Sequence, residues 1–479
     1  MFHYFRSLFL GLVPIFALPA YGDDALGPLD YRDVAGYMVH LQHSQTPEAK
    51  LLRWDIVNGH DRVAYERRAT ERAGIPLDLR RLQASLPPDD QNAAPLYTVL
   101  QKELEDHPFA STVLAIQSKM EKGQPLTSVE EDVLQSFVTL RQPALQQIKV
   151  AVKKPRCVFR RDWTHLDRQI FFENHAMISE AFLLRAESHV LFRCGQTQDA
   201  INELALLVPL AEQAASDPTL LCLNIGQEID HTGVAGLAEI LQQVGLDSLV
   251  NGWIQQTAVK VPHYDLGRIF SGEAAIAAAN FRAARLMPPS FFASLQNGAG
   301  LPNRDIPEAY TEHELRFVHR LLDNAEAIQL SEMRDLVLHT EWTGPARIDY
   351  FQRASEFQVL HEEPALSSLL GEPFVSAVGV PTTIALEQAR HTVLATAAAV
   401  LAYTKDHKGV FPDRIEEAVP TSALDPFSDV PIAYRKEEKG FVVYSIGQNM
   451  KFDGGKPDMK PATGEAYFRF ITPPSPSGK

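Results

Sequence analysis

Along most of this chain apolar residues recur at three- and four-residue spacing, and strict alternation sets in only near the end. The long runs are interrupted by glycine, proline and capping residues, not by strands. Such a pattern commits a chain to helices packed on helices. Hydrophobic residues make up 45% and charged residues 22%, so there is enough apolar surface for a folded core. The expected fold is mainly α: an irregular helical bundle or short tetratricopeptide-like solenoid, followed by a small C-terminal α+β domain with a helix on an antiparallel sheet.

The helical readings rest on particular residues. Leu86-Pro87-Pro88-Asp89-Asp90 is a loop signal. Ser128 with Glu131 reads as a capping box, with Leu126 before it and Val129, Val133, Leu134, Phe137 and Val138 after it. Lys153-Lys154-Pro155 marks a boundary. A long helix is expected over 167–192, closed by Gly195 in the left-handed conformation. A second helix is then expected to bury Ala200, Ile201, Leu204, Ala205, Leu207, Val208, Leu210 and Ala211, and Pro218 opens a third. Ala186, Val190, Gly195, Asp199, Ala200 and Leu204 together look like one tetratricopeptide-type hairpin, without a second copy at that period. Residues 288–303 read as a loop. Thr311 with Glu314 starts a further helix, another is expected over 347–360, and 363–382 reads as a linker.

The first residues have the form of a secretory leader. Arg6 precedes an apolar run over 8–20, broken by Gly11, Pro14 and Pro19, and Ala20-Tyr21-Gly22 places cleavage before Asp23. The run is shorter than the ~20 residues a spanning helix needs. The expectation is a periplasmic or secreted protein without stable membrane insertion after cleavage. The proposed divisions are a leader at 1–22, an N-terminal helical region at 23–150, a helical body at 155–362, the linker, an α+β domain at 383–472 and a tail at 473–479. The formal charge of −15, with no basic stripe, disfavours nucleic acid as a partner. With three cysteines the fold is no disulfide framework. Cys157 and Cys222 fall at one end of the hairpin, leaving a bridge open, but three buried free thiols is the favoured reading.

Beyond residue 383 the character changes. One apolar helix over 383–404 is followed by a turn and a short amphipathic stretch over 415–419. Strands are expected over 431–435, 440–446 and 466–470. Tyr403, His407-Lys408-Gly409-Val410-Phe411-Pro412, Leu424-Asp425-Pro426-Phe427, Ile432-Ala433-Tyr434-Arg435, 440–447 and Asp453-Gly454-Gly455 follow in order. This set resembles the globular head of type II secretion major pseudopilins. The resemblance covers about a fifth of the chain and implies a helix-on-sheet head. Pseudopilins begin with their apolar helix, which is processed and inserted into a membrane. Here the helix stands inside the chain and lacks that signature, so fibre assembly is not expected. The whole layout also resembles uncharacterised exported helical proteins of environmental bacteria, which share a segment like 156–163; no activity comes with that likeness.

Candidate chemistry is sparse. In some major pseudopilins the loop after the second strand holds calcium, and the resemblance makes Asn449, Asp453 and Asp458 the candidate ligands. Lys451, Lys456 and Lys460 stand among them, and a glycine-rich turn is the competing reading. Asp425 reads as a turn or cap residue. Glu173-Asn174-His175 lacks the second histidine of a zinc protease, and Asp230-His231 are helix neighbours that do not face each other. There is no nucleophile elbow, P-loop or dinucleotide fingerprint. The leading expectation is a non-catalytic exported protein binding a protein or peptide partner through its helical body, without a required cofactor. Two alternatives stay open: a cell-wall or polysaccharide hydrolase with a cleft between body and C-terminal domain, and a calcium-stabilised module.

Overall fold

The computed structural model describes residues 47–104, 110–164, 171–286, 311–338, 380–419, 423–428, 430–447 and 466–471. The leader, the 288–303 loop, the 347–360 helix, the linker up to residue 379, the calcium candidates and the tail lie outside them. The chain is mainly helical, with a small three-stranded antiparallel sheet at its C-terminal end. Among the described residues no helix is long and apolar enough to cross a membrane.

The N-terminal helices are α1 (Pro47–Arg72), α2 (Ala94–Leu104), α3 (Ala110–Glu121), α4 (Ser128–Leu140) and α5 (Gln142–Ala151). The capping box of α4 lies one residue earlier than the spacing suggested. Thr127 is extended, its hydroxyl accepts the Glu130 N–H, and the Glu130 carboxylate accepts the Thr127 N–H. Ser128 is therefore the first helical residue, and Glu131 is free to bond elsewhere. Leu134, Phe137 and Val138 enter the core, while Val129 stays in solvent.

The body continues with α6 (Phe172–Arg193), α7 (Thr197–Ala205), α8 (Leu207–Ala214) and α9 (Leu220–Val244). Gly195 takes the expected positive φ of 79°, and the Gln196 N–H returns to the Leu191 carbonyl to end α6. The expected single second helix is two. Pro209 has no N–H for the Ala205 carbonyl, so the helix breaks at Leu206 and restarts. Ala200, Ile201, Leu204, Leu207, Leu210 and Ala211 are nevertheless buried, while Ala205 and Val208, beside the break, are only half-buried. Thr219 caps α9 through the Cys222 N–H.

α9 is the axis of the molecule. It packs against α6, α7, α8 and the C-terminal helix. Its small residues make this possible: a Cβ on Gly236 would lie 2.7 Å from Leu204 Cδ2. After α9 come α10 (Ser248–Ala258), α11 (Leu266–Ala284) and α12 (Glu312–Leu338). α12 packs on α1 and α11 through charge: Arg67 grips Glu326 at 2.6 and 2.8 Å, and Arg285 reaches both Asp323 and Glu326.

The C-terminal helix, α13 (Val380–Asp406), begins three residues before the expected start. Pro381 stands in its first turn, where a missing N–H costs nothing. α13 lies on α9 and α10 on one side and on the sheet on the other. A short α14 (Ile415–Ala418) follows, then β1 (Ala433–Glu437), β2 (Gly440–Tyr444) and β3 (Tyr467–Ile471), in the order β1-β2-β3. β2 is wholly buried, and Phe441 meets Phe411, Tyr434, Phe468 and Phe470. Gln242 of α9 donates to the Arg469 carbonyl of β3 at 2.6 Å, so the sheet is pinned to the body. One continuous apolar core runs from Ile75 to Phe470.

The start of α9 gives a direct check on this packing. A Cβ on Gly272 of α11 would lie 1.9 Å from the Pro218 carbonyl oxygen, against rigid backbone. Gly272→Ala should therefore lower stability by about 3 kcal/mol, read as a shifted urea midpoint. An unchanged midpoint would mean that α11 does not pack there.

Candidate functional site: a buried Asp–His pair between body and C-terminal helix

α9 and α13 are both apolar where they meet, yet each places an ionisable residue at the contact. Asp230 and His391 are 2% and 3% exposed. The His391 Nε2 lies 2.9 and 3.0 Å from the two Asp230 carboxylate oxygens. Its Nδ1 lies 2.7 Å from the carbonyl oxygen of Ala258, at the end of α10. Burial works against the charged imidazole, but the Asp230 hydrogen bond and charge outweigh it, so the pKa is raised. One turn away Gln227 donates to the Thr383 hydroxyl at 3.1 Å, and Glu387 pairs with Arg390 on its own helix. Burial, reinforced by the charges of Asp230 and Glu228, pushes Glu387 up to about 7 against the pull of Arg390 and His391. The buried Tyr264 hydroxyl, its pKa raised by burial and by Asp230 and Glu387, closes the group.

This arrangement holds its proton between protein groups. A general base needs a nitrogen directed at the reacting group, and both His391 nitrogens already face protein acceptors. The two buried cysteines and His231 are shifted away from reactivity. Burial raises the Cys157 and Cys222 thiols well above their usual range, which keeps both inert. His231 is pulled down to about 3 by burial and the neighbouring Arg390 and Arg185. No group of three or more metal-binding side chains occurs among the described residues.

The structure sorts the sequence candidates plainly. Asp230 pairs with His391, not with His231. Glu173 and Asn174 bond Arg161 at 2.7 and 2.6 Å, and Arg161 also reaches Asp217 at 3.0 Å, which knots the 156–163 segment to the body. Glu131, displaced from the capping box, holds His189 at 3.0 Å, and Glu239 of α9 faces the other ring nitrogen at 3.4 Å. Asp425 is a turn residue, as expected, and more: its carboxylate accepts from Phe427 N–H, the Ser445 hydroxyl and Ile446 N–H, anchoring the loop to β2. All three cysteines are free, but Cys194 is exposed, because it sits in the solvent-facing turn after α6. A half-open cavity of about 130 Å³ is lined by Glu212, Ser216, His263, Tyr264 and Arg268, within the helical body. Asn449, Asp453 and Asp458 lie outside the described residues.

His391 carried no sequence signal of its own. Its partner is 161 residues away, and nothing in a local window marks an apolar helix for a distant carboxylate. Comparison with family models, curated proteins and solved structures gives no match.

One buried acid has no partner at all. Both Glu180 carboxylate oxygens on α6 are unbonded, and burial drives its pKa far up. In the unfolded chain this group ionises freely at neutral pH, so its burial costs stability there. Glu180→Met, similar in volume, should raise stability by about 1–2 kcal/mol at neutral pH, read as a higher urea midpoint. A lowered midpoint would show that the carboxyl makes a stabilising contact.

Proposed function

We propose that this chain is an exported, non-catalytic protein whose helical body binds a protein or peptide partner. The observation that carries the reading is the state of His391. The best-placed imidazole–carboxylate pair of the described residues has both ring nitrogens occupied in joining helices, and the Arg161 and His189 clusters elsewhere in the body likewise join separate elements. These groups hold helices together and leave the outer helix faces as the surface on offer. The seam where a hydrolase cleft would lie is bridged by Asp230–His391, Gln227–Thr383 and Gln242–Arg469. The C-terminal unit is read as a pseudopilin-like head used as a docked module, since α13 is buried against the body.

The net charge of −15 favours a basic partner and a salt-dependent encounter. The full chain, used as bait on a native envelope fraction, should retain a discrete basic partner at low salt and release it as salt rises. Hydrolysis of cell-wall or polysaccharide material by the purified chain, with no partner retained, would overturn the reading. N-terminal sequencing of the exported protein should begin at Asp23; an intact Met1 on the mature chain would contradict the leader.

A further inference from the structure

We propose that the seam between α13 and the helical body is closed in a proton-loaded form, with His391 an imidazolium between Asp230 and the Ala258 carbonyl and Glu387 carrying its own proton beside it, so that the seam loosens as the surroundings turn alkaline. The geometry requires the first proton. Both atoms facing the ring are acceptors, at 2.7 Å on Nδ1 and 2.9 Å on Nε2. Whichever nitrogen lost its proton would set a lone pair against an oxygen lone pair inside the core. The second proton follows from crowding. Glu387 is 8% exposed; its Oε1 accepts from Arg390 on the same helix, and Oε2, the oxygen left to carry the proton, has no hydrogen-bond partner among the described residues.

Every element packed on the seam contributes to this balance. α9 supplies Asp230 and, nearer solvent, Glu228; α10 supplies the Ala258 carbonyl; α13 supplies Glu387 and Arg390; the segment before α11 supplies Tyr264. Asp230 and Glu228 both act against ionisation of Glu387, and Arg390 and His391 favour it. The signs agree for the two groups. His391 has a raised pKa, so its contribution is complete below its ordinary 6.5 and fades as pH climbs past the raised value. Glu387 is also raised, so its contribution is complete below 4.5 and fades as pH climbs through about 7. Both losses point the same way. His189, held between Glu131 and Glu239 on the far side of α9, adds a similar dependence at a separate contact.

The inference stands apart from any partner and is tested on the full chain alone. Hydrogen exchange of the α13 amides over 393–401 is followed from about pH 5.5 to about pH 8.5, corrected for intrinsic exchange rates. Protection should fall with rising pH, approaching tenfold per pH unit for each proton released above its transition. Asp230→Asn is the discriminating variant. Its amide donates to a neutral Nε2 while Nδ1–H still bonds Ala258, so protection should survive and the His391 part of the slope vanish. Glu387→Gln should remove the part centred near pH 7 and serves alone if the first variant does not fold. Flat or rising protection in the unmodified chain, or an Asp230→Asn or Glu387→Gln slope equal to it, would overturn the proposal.

Discussion

The architecture turns on the burial of α9 from several sides at once. A helix with only one apolar face can be covered by one neighbour, but α9 meets α6, α7, α8 and α13. Each contact is solved by different side chains. Towards α7 and α8 the solution is smallness, because glycine lets the backbones approach. Towards α13 it is charge, because Asp230 enters the core only with an imidazole ready to meet it. Removing one member of such a buried pair is far more costly than the pair is stabilising, since the remaining charge has nowhere to go. The contact therefore specifies register more than it adds strength: α13 fits where His391 reaches both Asp230 and Ala258.

Much of this architecture was legible from local chemistry. The left-handed cap at Gly195, the boundary at Lys153-Lys154-Pro155 and the change from helix to strand near residue 431 all depend on residues within a few positions of one another. The errors also have local causes. The capping box slipped by one residue because Thr127-Ser128 followed by Glu130-Glu131 satisfies the pattern in two registers, and backbone conformation decides between them. The break at Leu206 was written in Pro209 but was outweighed by the apolar periodicity on either side of it. Cys194 was counted with the other two as a buried free thiol, whereas the turn carries it outwards.

The candidate site was not legible in the same way. Asp230 was visible as a carboxylate inside an apolar helix, and pairing with the adjacent His231 was excluded by helix geometry, but nothing local named the true partner. The true partner lies across a tertiary contact, in a helix whose composition otherwise announces only burial. Long-range electrostatic pairing leaves no periodicity to read. The same holds for Arg161, whose attachment to Glu173, Asn174, Asp217 and the aromatic rings of Phe159 and Phe171 explains why an arginine sits inside the body.

Among the described residues several buried ionisable groups, Asp230 with His391 and Arg161 with Glu173 and Asp217, join separate elements. The most direct test is nitrogen NMR of the imidazole of His391, assigned by its absence in a His391 variant, at neutral pH. The account predicts protons on both ring nitrogens, each coupled to its own hydrogen. A single protonated nitrogen, with the other carrying a free lone pair, would contradict it.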